Sequence, residues 1–362
     1  MDNTSIAMVN YSRKNDGTAI AARIYYETLL EMKYDIRWYQ YADYSDQQDY
    51  MEYPTVIPGS RFSPRTLRPG YDRLVNLPAR KSLIKERKIF LSDPTLLRIA
   101  KGRDFMVKVH DLNPLSSYRE KISSWAMFKY AIPRLRLADT IITTTDYMRE
   151  TITELVQGLG KVFVVPEPVF KQKTNNSLNS RTLEPGDRKI NLLYVAADRP
   201  YKNIRMFFDL AANFQRQGLD QYRFRLVTKP KESTISYLKS LGLKNLEVFT
   251  DIPDMNEVYG KTDILIYPSL YEGFGRPIVE ALSMGIPTIA KDIQPFREII
   301  GNYGMLIGGD SLDKWTEAIL KISDQTTYST FSIKAFDRYR KSYSYEIFKE
   351  RLEDAFKYFL EN

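Results

Sequence analysis

The chain has 362 residues, 43% hydrophobic and 27% charged, with a net charge of +8 and no cysteine. That length suits two domains of roughly 150–200 residues each, and the composition excludes a disulfide scaffold, a thiolate metal centre and a disordered polymer. No apolar run approaches the roughly 18–20 residues of a membrane span, and MDNTSIAMVN lacks the charged start and apolar core of a secretory leader, so a soluble cytoplasmic protein is expected.

Taken in chain order, TSIAMVNY reads as a strand. TAIAARIYYETLLEMK reads as a helix with Ile20, Ile24, Leu29 and Leu30 on its apolar face, and YDIRWYQY as a second strand. Residues 43–104, rich in Tyr, Pro and Arg, read as loops and short helices over the first sheet, and DYSDQQD at 43–49 as an exposed turn. Within residues 61–103 stand twelve Arg or Lys against three acids, slightly more than the excess of the whole chain. Two readings of that stretch are open, a solvated basic face and a surface for an anionic partner. FMVKVH, DTIITTT and KVFVV follow as strands, and the polar segment 171–189 (KQKTNNSLNSRTLEPGDRK) as a linker.

The second half restarts the pattern. INLLYVAA is a strand, and KNIRMFFDLAANFQRQG a helix with Ile204, Phe207, Phe208 and Ala211 on one face. YRFRLVT, NLEVFT and DILIYP are strands. A helix opening at Arg276-Pro277 buries Ile278, Ala281 and Leu282 and stops at Gly285, before the strand IPTIA. The final amphipathic stretch puts Phe348, Leu352, Phe356 and Phe359 on one face. Strands alternating with helices predict two doubly wound parallel-sheet α/β domains. The expected boundaries are an N-terminal domain over 1–170, a linker over 171–189 and a C-terminal domain over 190–340. A closing helix over 341–362 is expected to pack back on the first domain.

Ligands of such sheets bind beyond the carboxyl ends of the strands, so the residues after each strand are the candidates. YEGFGRPIVEALSMGIP (271–287) places Glu272 in a glycine-rich loop and Glu280 one turn into the helix. Gly273 and Gly275 permit close backbone approach, the helix start favours a phosphate, and a carboxylate one turn in suits a ribose diol. A plain strand–turn–helix, with Glu280 countering the helix dipole, is the alternative. Arg199 and Lys202 follow INLLYVAA, either as surface cations at a turn or as a clamp on a diphosphate. His110, the single histidine, ends FMVKVH beside Asp111, either as a packed residue or as a functional one. Asn15-Asp16-Gly17-Thr18 reads equally as a capping turn or as an amide-lined anion loop.

The run EGFGRPIVEALSMGIPTIA, with seven residues between its glutamates, closely resembles the signature of retaining glycosyltransferases of family 4, the glycosyl transferases group 1. INLLYVAADRPYKN, VFTDIPDMNEVYGKTDILIYPSLYEGFG, VKVHDLNPL and ADTIITTTDYMRETI resemble further segments of that family, whereas residues 40–104 match none of it. The resemblance implies the GT-B fold, two Rossmann-like domains facing a central cleft, and sugar transfer from a nucleotide-diphosphate donor to an acceptor hydroxyl with retention.

It also implies roles. Glu272, Gly273 and Phe274 would hold the donor sugar, Glu280 the ribose and Ile252 the base. Gly17, Arg199, Lys202, Gly275 and Arg276 would hold the diphosphate, and His110 would join Glu272 at the catalytic centre. Only Pro200 and Tyr201 separate Arg199 from Lys202, a shorter loop than the family usually has. With Glu280 spent on ribose, the two glutamates do not form a glycosidase pair. Front-face substitution, with the departing phosphate helping to deprotonate the acceptor, is expected. No Asp-x-Asp stands at a strand end, so no essential metal and no cofactor is expected besides the nucleotide sugar. The acceptor is expected to be a glycan or a lipid-linked molecule, with residues 61–103 able to touch an anionic membrane.

Two other functions stay open, a GT-B epimerase or phosphorylase and a basic nucleic-acid-binding protein. No zinc-finger, homeodomain or RNP-type aromatic motif supports the second. A dehydrogenase is disfavoured because no G-x-G-x-x-G follows either domain's first strand.

Overall fold

Short β-branched and aromatic runs separated by amphipathic stretches build two parallel sheets in the computed structural model, which describes residues 5–11, 17–42, 56–58, 82–112, 122–167, 169, 183 and 189–362. Asn15, Asp16, the acidic turn 43–49, Arg61 to Lys81 of the basic stretch and most of segment 171–189 lie outside the described residues. The chain divides into unit 1, residues 1–170 with 345–362, and unit 2, residues 171–344.

Unit 1 carries β1 (Ile6–Asn10), β2 (Ile36–Ala42), β3 (Val56–Pro58), β4 (Lys88–Leu91), β5 (Asp104–Val109), β6 (Thr140–Thr143) and β7 (Lys161–Val164). Their order in the sheet is β3-β2-β1-β4-β5-β6-β7, with every pairing parallel. Both faces are covered, so strand residues alternate between two cores. Val9, Leu91, Val107 and Ile141 join one cluster with Leu135, Met148 and Ile152. Met8, Phe90, Met106 and Ile142 join the other, with Tyr25 and Leu29 and with Phe348, Leu352, Phe356 and Phe359 of the helix Tyr345–Glu361. That helix seats Phe348 edge-on to Tyr25 at 4.9 Å and Phe356 on Phe90 at 5.4 Å. Burying each such ring stabilises the unit by roughly 1.5–3 kcal/mol.

Two sequence expectations are corrected here. The stretch 43–104 is not only loops and short helices: KIFL forms β4, hydrogen-bonded between β1 and β5 in the middle of the sheet. The three-residue apolar run Ile89 to Leu91, after Arg87 and Lys88, is too short for its period to be read. In the first helix, Gly17–Glu31, the buried residues are Ala19, Ala21, Ala22, Tyr25, Thr28 and Leu29, while Leu30 is 46% exposed. The seated face is made of small residues and a tyrosine, which the search for large aliphatic residues passed over.

Unit 2 carries β8 (Ile190–Val195), β9 (Tyr222–Val227), β10 (Leu246–Phe249), β11 (Ile264–Tyr267), β12 (Thr288–Lys291) and β13 (Met305–Ile307), in the order β10-β9-β8-β11-β12-β13. All its pairings are parallel. Ile204, Phe207, Phe208 and Ala211 of helix Ile204–Arg216 are buried, as are Ile278, Ala281 and Leu282 of helix Arg276–Ser283. The chain winds outward from β8 to β10, returns to β11 beside β8, and winds the other way. The crevice at that reversal, beyond the ends of β8 and β11, is where a doubly wound sheet takes a ligand.

Candidate active site

The loops after β8 and β11 meet at the reversal in unit 2. After β8 the chain makes a single 3-10 turn, Pro200–Lys202, and Asn203 takes the left-handed conformation (φ 54°) to start the next helix. The loop after β11 is tied to this turn. Leu270 N–H donates to the Tyr201 carbonyl at 2.8 Å, the Ser269 hydroxyl donates to the same carbonyl at 3.3 Å, and Asn203 Nδ2 reaches the Pro268 carbonyl at 3.4 Å. Those bonds fix Lys202 against Glu272. Lys202 Nζ lies 2.5 Å from Glu272 Oε1, and the same oxygen accepts from the Tyr267 hydroxyl at 3.0 Å. The two side chains are only 14% and 12% exposed.

Below them the Tyr194 hydroxyl donates to the Lys202 carbonyl, and the Tyr194 and Tyr267 rings pack edge-on at 5.4 Å. Burial first, and the Glu272 charge second, push both phenols well above their usual range, so they stay protonated and can donate.

Eight residues after Glu272, a second carboxylate is held separately. Glu280 accepts from Arg276 Nε at 2.9 Å on one oxygen and from the Tyr259 hydroxyl at 2.6 Å on the other. Tyr259 comes from the short helix Met255–Gly260, and burial followed by the Glu280 charge raises its hydroxyl well above the usual range. Between the glutamates, Gly275 stands at φ 98°, where an added Cβ would meet the Phe296 ring at 2.8 Å. No side chain caps the start of helix Arg276–Ser283.

The remaining expected residues are distributed as follows. Gly273 is buried in the loop. Phe274 is 5% exposed and packs edge-on against Tyr343 at 5.9 Å. Its ring is therefore a packing anchor. Arg276 Nε is held on Glu280 by the i,i+4 geometry of the helix. Arg199 is exposed at the start of the 3-10 turn, and Ile252 is half-buried in the loop after β10. Gly17 begins its helix with nothing within 4 Å of an added Cβ, so no steric demand among the described residues requires a glycine there.

Unit 1 has its own polar cluster beyond β5. His110 Nδ1 lies 2.7 Å from Glu167 Oε1, and Lys108 Nζ lies 2.9 Å from the same oxygen. Lys108 is 2% exposed and sits 4.1 Å from the centre of the Tyr25 ring. Burial pulls the Glu167 carboxyl upward, but Lys108 and His110 outweigh it and hold the group far below the usual carboxylate range. Nearby, at the sheet's own reversal between β1 and β4, Ser92 donates to Asn10 at 2.7 Å and Asn10 donates to Gln40 at 3.0 Å, a buried network satisfied within itself.

The sequence reading passed over Lys108, Glu167 and Tyr259. A lone lysine in FMVKVH and a lone glutamate between prolines in VVPEPV are charges inside otherwise apolar runs, and that anomaly is the signal that could have found the first two. Among the described residues no group of three or more His, Cys, Asp or Glu is placed to hold a metal ion. No helix among them is long and apolar enough to cross a membrane.

Comparison with known proteins adds four findings. Residues 176–337 match the family model of glycosyl transferases group 1. The chain is 24% identical over 257 residues to the O-antigen chain mannosyltransferase RfbU of Salmonella typhimurium, covering 68% of each protein. Among solved structures it resembles sucrose-phosphate synthase from Thermosynechococcus elongatus, with a TM-score of 0.76 at 16% identity over 99% of both chains. It also resembles Anabaena HepE in complex with UDP and glucose, with a TM-score of 0.74 at 16% identity over 98% of this chain and 99% of the other.

Proposed function

We infer that this chain, whose residues 176–337 belong to the glycosyl transferases group 1 and whose two units carry the GT-B fold, transfers a sugar from a nucleotide-diphosphate donor to an acceptor hydroxyl. The observation that carries the reading is the Lys202–Glu272 pair at the reversal of the unit 2 sheet, followed by the separately held Glu280.

Lys202 and Glu272 pair with each other. An arriving diphosphate competes for the ammonium, and the carboxylate so released accepts hydrogen bonds from the sugar hydroxyls. The exchange keeps both charges partnered throughout, which matters where neither side chain can rely on water. Arg199, exposed on the same turn, adds a second cation toward the diphosphate, and the uncapped start of helix Arg276–Ser283 adds backbone N–H groups. Glu280 keeps Arg276 and Tyr259 and offers its remaining lone pairs to the ribose diol. Gly273 and Gly275 let the backbone approach the donor, and Ile252 is assigned to the base. His110 and Glu272 are assigned to the transferred sugar. Charge on the leaving diphosphate is neutralised by fixed cations and amides, so the reading needs no divalent metal.

Transfer with retention, through front-face departure of the diphosphate, is part of this proposal. The relatives' activity makes a nucleotide-diphosphate mannose the first donor to test and a growing polysaccharide the first acceptor. Contact of the basic stretch 61–103 with an anionic membrane is proposed too, and sedimentation with vesicles should then depend on anionic lipid. The central test incubates the protein with a panel of nucleotide sugars and reads thermal shift and slow donor hydrolysis. One donor should stabilise the protein and be hydrolysed. A panel in which no nucleotide sugar does either overturns the reading.

A further inference from the structure

In unit 1 a single carboxylate oxygen, Glu167 Oε1, receives both Lys108 Nζ at 2.9 Å and His110 Nδ1 at 2.7 Å. The three side chains are 2%, 9% and 16% exposed for Lys108, Glu167 and His110. They come from the β5 end and from the segment leaving β7, so the tertiary fold assembles them across 57 residues of sequence. Neither Lys108 nor Glu167 has a part in the transfer reaction as derived above.

We propose that Lys108 and Glu167 are positioning residues that hold His110 as the neutral tautomer with its proton on Nδ1, leaving Nε2 as a bare acceptor for a substrate hydroxyl. The proposal rests on the glycosyl-transfer reading only for the identity of that hydroxyl.

Three features of the cluster lead there. An ionised carboxylate can only accept, so the ring nitrogen 2.7 Å from it carries the proton. The lysine and the glutamate already cancel each other. The cluster is also rigid. The Lys108 ammonium rests on the ring of Tyr25 at 4.1 Å, and the Thr144 hydroxyl reaches the His110 carbonyl at 3.5 Å.

Tyr25 faces Glu167 from the helix Gly17–Glu31, and burial together with the Glu167 charge keeps its hydroxyl protonated, so it contributes no further charge. Lys108 therefore has a definite task, to let Glu167 stay ionised beside the imidazole, where it can only accept. The result is a histidine that receives a hydrogen bond from a sugar or acceptor hydroxyl and does not give one to a departing phosphate.

Because the chain has one histidine, ¹⁵N-histidine labelling yields the spectrum of His110 alone. A two-bond ¹H–¹⁵N correlation spectrum at about pH 8, above the ordinary histidine range, reads the tautomer directly and needs no donor. The expected spectrum has a protonated Nδ1 and an unprotonated Nε2. The double variant Lys108→Met/Glu167→Gln keeps the packing volume and strands no charge. In it the two tautomers should mix, and kcat should fall by roughly 10- to 100-fold, as when a functional histidine loses its orienting partner, while KM for the donor stays unchanged.

A protonated Nε2 or an imidazolium in the wild type overturns the proposal, as does a double variant with unaltered tautomer and kcat. If the wild-type protein turned over no nucleotide sugar, the proposed function would fall, and the spectrum would still decide the tautomer.

Discussion

Two lysine–glutamate pairs in this molecule look alike in distance and differ in kind. Lys202–Glu272 joins two loops at the sheet reversal of unit 2, with both side chains 12–14% exposed. Lys108–Glu167 in unit 1 is 2% and 9% exposed, and its carboxylate also holds His110. The first pair can trade partners, because each member sits on a loop where an incoming anion and its hydroxyls can replace the other. The second cannot, because no water or ligand can take the place of either ion without opening the core. An exchangeable pair serves binding, and a fixed pair serves orientation.

The largest expected effect separates them by stability. Glu167→Ala strands the Lys108 charge in the core and should cost about 3–5 kcal/mol, read as a fall in melting temperature or denaturant midpoint. The double variant Lys108→Met/Glu167→Gln should recover most of that loss. The folded Glu167 pKa lies below its unfolded value, so its contribution is complete above the ordinary carboxylate range of about 4.3 and fades as pH falls below it. The wild-type advantage over the double variant should therefore shrink in acid and stay constant near neutrality.

Lys202→Ala should do the opposite. Its unfolding free energy should fall by less than in Glu167→Ala, because Glu272 keeps the Tyr267 hydroxyl, whereas kcat should fall on the order of 10²–10³-fold if the ammonium stabilises the departing diphosphate. If Lys202→Ala unfolded the protein as readily as Glu167→Ala, the division into exchangeable and fixed pairs would be wrong.

Glu280→Ala comes next in size. It removes the acceptor proposed for the ribose diol and should weaken donor binding by about 1.5–3 kcal/mol, measurable by calorimetry with the donor that the panel selects. Equal affinity in that variant would move the ribose elsewhere. The smallest effect is expected from EDTA, which should leave donor turnover unchanged if fixed cations alone neutralise the diphosphate. A metal-dependent rate would show that Lys202 has a partner of another chemistry.

Much of this was legible in the sequence, for reasons that can be named. The Glu272 and Glu280 spacing, the glycines between them and Pro277 dictate a loop, a helix start and one turn of helix, so those residues could be located before any tertiary contact was known. Phe207, Phe208 and Ala211, or Phe348, Leu352 and Phe356, announce a buried face through helical spacing alone. β4 was missed because four residues give a period nothing to repeat, yet it pairs on both sides within the sheet. Phe274 and Arg276 were assigned to the donor because they stand in the motif, and the contacts of the Phe274 ring with Tyr343 and of Arg276 Nε with Glu280 could be read only from the fold.

What the sequence determined by itself was therefore local: which runs are strands, which faces are apolar, and which carboxylates and cations stand after strand ends. Partnership was decided only by the tertiary structure. Lys202 and Glu272 are 70 residues apart and His110 and Glu167 are 57 apart, and no periodicity connects them. They meet because parallel strands must return through long crossovers, so residues distant in the chain finish side by side at one edge of a sheet.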